Sequence, residues 1–98
     1  MSGRFALCTA IALSARASVA QAGTHGLPAD VAGFVEQRDL CDHFRGEDPY
    51  DAARAAEIKA KLAANCTGTD KKLAALRKKY AGNRKVMKRL SGYEARIE

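Results

Sequence analysis

The 98 residues include no tryptophan, only two prolines and only two histidines. No segment alternates apolar and polar residues in the manner of a half-buried strand, and no internal repeat or low-complexity tract interrupts the chain. The longest apolar run, Phe5 to Ala15 (FALCTAIALSA), has 11 residues. That is short of the roughly 20 needed to cross a bilayer. Paired Cys or His ligands at zinc spacing are missing as well: Cys41-Asp42-His43 is one cluster, and Cys66 stands alone. The acids Asp39, Asp42, Glu47, Asp48 and Asp51 do not follow an EF-hand loop, because Cys41 and His43 fall where the third and fifth calcium ligands belong. These gaps leave a helical chain with little catalytic or metal-binding vocabulary.

What is present begins with a leader. Arg4 precedes the apolar run, small residues follow it, and Ala20-Gln21-Ala22 or Ser18-Val19-Ala20 fits a small-x-small cleavage pattern. Residues 1–22 are therefore expected to be a signal peptide and 23–98 a helical domain, with 23–29 as a flexible N-terminus. Export implies a periplasmic or secreted protein with no transmembrane segment in its mature form. It also removes Cys8 and leaves Cys41 and Cys66, 25 residues apart, an even number in an oxidising compartment. A chain this short has a marginal core and needs a staple, so Cys41 and Cys66 are expected to form a disulfide.

Charge is unevenly divided. Residues 30–57 carry eight acids against three bases, whereas 58–98 carry three acids against twelve bases. Asymmetry of this kind suits an anionic partner. The alternative is that the halves complement each other within one fold and the excess cations are merely solvated. If the excess is functional, the partner face comprises Lys71, Lys72, Lys78, Lys79, Arg84, Lys85, Lys88 and Arg89. Export argues against nucleic acid, so an acidic protein surface or an anionic envelope component is the expected partner.

Hydrophobic spacing gives an all-α bundle of about four helices. The first runs from an Asp30 N-cap to a stop at Gly46, with Val31, Phe34, Val35, Leu40, Cys41 and Phe44 inward and Glu36, Arg38, Asp39 and Asp42 outward. A second begins at Asp48-Pro49 and turns Ile58, Leu62 and Cys66 inward. Thr69 or Asp70 caps a third containing Leu73, Leu76 and Tyr80. A fourth follows Asn83, with Val86, Leu90, Tyr93 and Ile97 on one side and a weak point at Ser91-Gly92. A tight antiparallel hairpin of the first two helices would hold the cysteines about 20 Å apart, too far for a disulfide. A steep crossing over an extended connector is therefore expected.

No nucleophile–base pair emerges. Cys41 or Cys66 would have to be free to act with His43, and Asp39 four residues before His43 suits a surface ion pair. No catalytic residue, cofactor or metal ligand is assigned. A small metal-binding protein or enzyme using His43 with the acidic 39–51 segment is the alternative to a non-enzymatic binding or envelope-associated protein. His25 has no neighbours that suggest a role.

The segments Val35 to Asp51 (VEQRDLCDHFRGEDPYD), Cys66 to Asp70 (CTGTD), Leu73 to Tyr80 (LAALRKKY) and Val86 to Glu98 (VMKRLSGYEARIE) resemble a group of small exported bacterial proteins without an assigned activity. That resemblance implies export and a small helical fold. The order Cys66, Leu73, Leu76, Tyr80 is also similar to periplasmic lysozyme-inhibitor domains, which implies inhibition of an envelope hydrolase as a third reading.

Overall fold

Among the described residues, four helices make up the architecture: α1 (Ala29–Arg45), α2 (Ala52–Cys66), α3 (Thr69–Lys79) and α4 (Arg84–Leu90). The computed structural model describes residues 23–98. The expected leader and Cys8 lie outside the described residues.

Along α1, residues Val31, Phe34, Val35, Arg38 and Cys41 are buried. At 100° per residue, Arg38 falls about 40° and Cys41 about 20° from Phe34, whereas Leu40 falls about 120° away. Leu40 is accordingly 49% exposed. The expectation that Leu40 points inward and Arg38 outward is therefore reversed, and helical register is the reason. Residue 38 belongs to the inward stripe whatever its chemistry.

Helix starts also differ from expectation. Pro28, not Asp30, occupies the N-cap position of α1, and no side chain caps there. α2 begins three residues beyond Pro49, capped by Asp51, whose carboxylate accepts the Arg54 N–H at 2.8 Å. Arg54 then reaches back with a two-pronged contact to Glu47 and lies over the Phe44 ring, 5.9 Å from its centroid. Residues 46–51 thus form a connector pinned from within α2, and the competing Asp48-Pro49 start is not used.

The connector delivers Cys66 to Cys41. The two form a disulfide with Cα atoms 5.0 Å apart. The bond joins the C-terminal end of α2 to the C-terminal part of α1, which a straight-back hairpin does not permit. Beyond it, Gly68 takes a left-handed conformation (φ 83°) that turns the chain from α2 into α3.

The core consists of Val31, Phe34 and Val35 from α1, Leu73 and Leu76 from α3, Val86 and Leu90 from α4, and Tyr93, with Leu27 and Tyr80 packed against it. No α2 residue belongs to this cluster. The one buried side chain of α2 is Ile58, while Leu62 and Cys66 are half-buried. α2 therefore packs along α1, its main neighbour, outside this cluster.

α4 ends at Leu90, so Tyr93 and Ile97 are not part of a longer helix as their spacing suggests. Asn83 caps its start through the Val86 N–H at 3.1 Å, as expected. At the other end, the Ser91 hydroxyl donates to the Lys88 carbonyl at 2.8 Å, a local bond that competes with the helical ladder. Arg77 donates to the carbonyls of Leu90 and Tyr93 at 2.9 and 3.0 Å. Arg38 donates to that of Glu94 at 2.6 Å. Tertiary bonds from two arginines thus outweigh continued amphipathic spacing, and residues 91–98 run as a strap over the bundle.

The strap closes on α3. The Glu98 carboxylate accepts the N–H groups of Gly68 and Asp70 at 2.9 and 3.0 Å. The Asp70 carboxylate accepts those of Ile97 and Glu98, at 3.0 Å each. The cap expected from Thr69 or Asp70 is therefore supplied by Glu98. Thr69 instead donates its hydroxyl to the Cys66 carbonyl.

Candidate functional site: the unpaired cationic surface

Ion pairs inside the fold consume most of the acidic half. Asp30 on α1 receives Lys79 at 2.7 Å and the Tyr80 hydroxyl at 2.8 Å. These two bonds, Lys79's first, hold its carboxyl below the usual range. Asp39 receives the Tyr93 hydroxyl at 2.6 Å and Arg89 at 3.3 Å. Asp42 lies between Arg38 and Arg45, at 3.3 and 3.0 Å. Arg54 lowers the Glu47 carboxyl below its ordinary value through their hydrogen bonds.

These contacts disperse the acidic 39–51 segment. Among the described residues, no three His, Cys, Asp or Glu side chains gather into a set able to hold a metal ion. His43 is exposed, 3.8 Å from Glu47 and edge-on to Phe44. Its expected surface pair with Asp39 is not formed, because Asp39 turns to α4 and the strap. Cys41 and Cys66 are joined and present no thiol.

The eight residues of the expected anionic-partner face divide in two. Lys72 is bonded to Gln37 at 2.8 Å, Lys79 to Asp30, and Arg89 to Asp39 and the Gly23 carbonyl. The halves therefore do complement each other in part. Lys71, Lys78, Arg84, Lys85 and Lys88 make no side-chain hydrogen bond or ion pair with the described residues, and all five are exposed. Arg84, Lys85 and Lys88 lie on the short α4, where Lys88 borders two hollows. One is lined by Ala81, Gly82, Arg84, Met87 and Ser91. The other lies toward the N-terminal turn.

Sequence reasoning missed the two arginines that organise this surface. Arg77 and Arg38 tie down the strap, and Tyr93 on that strap holds Arg89 and Asp39 in place. The Tyr93 ring packs edge-on against Phe34 at 5.4 Å and has Arg38 and Arg89 near its faces, 5.6 and 5.2 Å from the centroid. The available signal was position: Arg38 occupies an inward site of α1.

Burial, and then the bond to Asp39, push the Tyr93 phenol well above its ordinary value. A free tyrosine titrates near about 10. The neutral form is therefore favoured in the folded state, and its stabilisation is complete below about pH 10 and lost as pH rises further. Denaturant midpoints of the wild type are expected to fall more between about pH 9 and pH 11 than those of Tyr93→Phe, which lacks this ionisation. Equal alkaline slopes would refute the assignment.

No family model, curated protein or solved structure matches the chain. Among the described residues, no helix is long and apolar enough to cross a membrane.

Proposed function

We propose that this protein is an exported, non-enzymatic binding protein of the cell envelope whose α4 surface docks an acidic protein surface or another anionic envelope component. The observation that carries the reading is the unequal use of charge. The acids are largely spent on internal bonds, while Arg84, Lys85 and Lys88 on α4 and Lys71 and Lys78 on α3 are left without carboxylates. Three of these unspent cations fall within the seven residues of α4, and local charge of that density steers an anionic partner there, with an attraction that weakens as salt is raised. The disulfide supports an oxidising location, and the absence of a joined nucleophile–base or metal set among the described residues supports binding rather than catalysis.

Reversing charge at two places separates a docking site from general basicity. Arg84→Glu/Lys88→Glu alters α4, and Lys59→Glu/Lys61→Glu makes the same net change on α2. Pull-down from envelope extract with the α4 double variant is expected to lose its partner about tenfold or more, while the α2 variant retains it. Equal losses would reduce the effect to net charge and remove α4 as the site.

A further inference from the structure

The hollow beside Lys88 is a pocket of about 440 Å³ formed by Gly23, His25 and Leu27 from the N-terminal turn and by Lys85, Lys88, Arg89 and Gly92 from α4 and its end. Its volume lies within the range of sites that take small organic ligands.

The turn is built to bring the two sides together. Leu27 N–H donates to the Thr24 carbonyl at 3.1 Å, closing residues 24–27, and the Leu27 side chain packs against the core. Arg89 reaches the Gly23 carbonyl at 3.4 Å while holding Asp39, so the guanidinium forms a fixed back wall. Gly26 has φ 79°, a left-handed backbone that favours glycine, and it brings the turn up against the Lys85 ammonium group.

Lys85, Lys88 and Arg89 are three and four residues apart, so one face of α4 presents all three to the pocket. Arg89 is balanced by Asp39. Lys85 and Lys88 have no balancing carboxylate among the described residues, so two unpaired lysines line the pocket, with His25 beside them. The remaining lining, Leu27 and the bare backbone at Gly23 and Gly92, is apolar or lacks side chains. Ammonium groups suit a compact anion approached as point charges, phosphate above all. The apolar wall suits a hydrocarbon portion next to that head.

We propose that this pocket binds a small phosphate-bearing amphiphile, its phosphate between Lys85 and Lys88 and its apolar portion against Leu27. The proposal extends the α4 reading by assigning a ligand class to one side of the same helix. It also gives His25 a place that the sequence did not suggest.

The test titrates the protein, expressed as the full 98-residue chain and purified as the host processes it, with dihexanoyl phosphatidic acid below its micelle concentration. Inorganic phosphate and dihexanoyl phosphatidylcholine serve as comparison probes, with binding followed calorimetrically. Saturable one-to-one binding of the phosphatidic acid is expected, with both comparison probes about tenfold weaker or worse. Lys85→Gln should weaken binding about tenfold, as the loss of one charge-assisted contact. Gly23→Leu fills the pocket without changing charge. Among the described residues, a Cβ there meets the Arg89 guanidinium at an ordinary 3.8 Å, so binding is expected to be lost while circular dichroism shows an unchanged fold.

Absence of saturable binding, equal binding of inorganic phosphate, or indifference to both variants would overturn the proposal. Neither Lys85 nor Gly23 enters the partner-capture test on Arg84 and Lys88. Loss of amphiphile binding with retained, α4-dependent capture would therefore sink the pocket alone. Intact amphiphile binding without α4-dependent capture would sink the docking surface alone.

Discussion

Arg38→Ala is expected to lower the unfolding free energy by about 3–5 kcal/mol, the usual cost of deleting one member of a buried charged network. Small domains lie toward the low end of a stability range of about 5–15 kcal/mol, so the variant should retain little stability at room temperature. The side chain is 0% exposed and is the largest of the fully buried ones. Its Nε donates to Asp42 on its own helix, and one terminal nitrogen donates to the Glu94 carbonyl on the strap. The other terminal nitrogen lies 3.9 Å from the Asp70 carboxylate at the start of α3 and has no hydrogen-bond partner. One guanidinium thus joins α1, α3 and the strap.

Arg38→Lys should rescue little, because a single ammonium on a flexible stem cannot reproduce a planar fork serving three directions. Arg38→Met, which keeps most of the volume and demands no partner, should cost clearly less than alanine. Urea denaturation of the three variants, with amide exchange across residues 91–98, provides the measurement. A loss below about 1 kcal/mol for Arg38→Ala, within the range of an ordinary surface pair, would show that the strap is held by other means.

Reducing the disulfide, or replacing it by Cys41→Ala/Cys66→Ala, should free α2 while leaving much of the core folded. The chain-entropy model assigns about 3–4 kcal/mol to closing a loop of 25 residues. The distribution of that loss is set by the packing. α2 contributes no residue to the main cluster and buries Ile58 alone. Burying one isoleucine is worth about 1.5–3 kcal/mol. That is small against the cost of ordering a helix of 15 residues at about 1–2 kcal/mol per backbone residue.

Hydrogen exchange is therefore expected to show amides of 52–66 losing protection on reduction, while those around Phe34, Leu73 and Leu90 keep theirs. The urea transition should remain single but with a smaller m value, because α2 no longer contributes surface to it. Simultaneous loss of protection in α2 and in the α3–α4 region would mean that the bond stabilises the whole domain as one unit.

The sequence was informative wherever local rules act alone. Gly46 ends α1, Asn83 caps α4, Ile58 turns inward, and Cys41 meets Cys66 over a connector that defeats a simple hairpin. It misled where distant partners decide. Asp48-Pro49 is a sound helix start, yet Asp51 caps α2 because Arg54 is drawn back to Glu47. Val86, Leu90, Tyr93 and Ile97 form a clean helical stripe, yet Arg38 and Arg77 take the carbonyls that a continuing helix would use.

The cationic face was legible as a list of residues but not as a surface. Lys79 and Arg89 look no different in sequence from Lys78 and Lys88, and only the fold shows which of them meet a carboxylate. The pocket was the least visible feature, since it combines residues 23–27 with 85–92, and glycine and histidine in a loop carry little signal. Arg38 was within reach: strict 100° bookkeeping places it between Phe34 and Val31.

The mutual hold between Asp70 and Glu98 closes a ring through the fold, tying the start of α3 to a residue 28 positions later. The same segment supplies the carbonyl acceptor of Arg38 and the edge-on neighbour of Phe34. Detaching residues 91–98 would therefore undo three attachments at once, so the rate at which a protease cuts there reports how often the whole bundle opens.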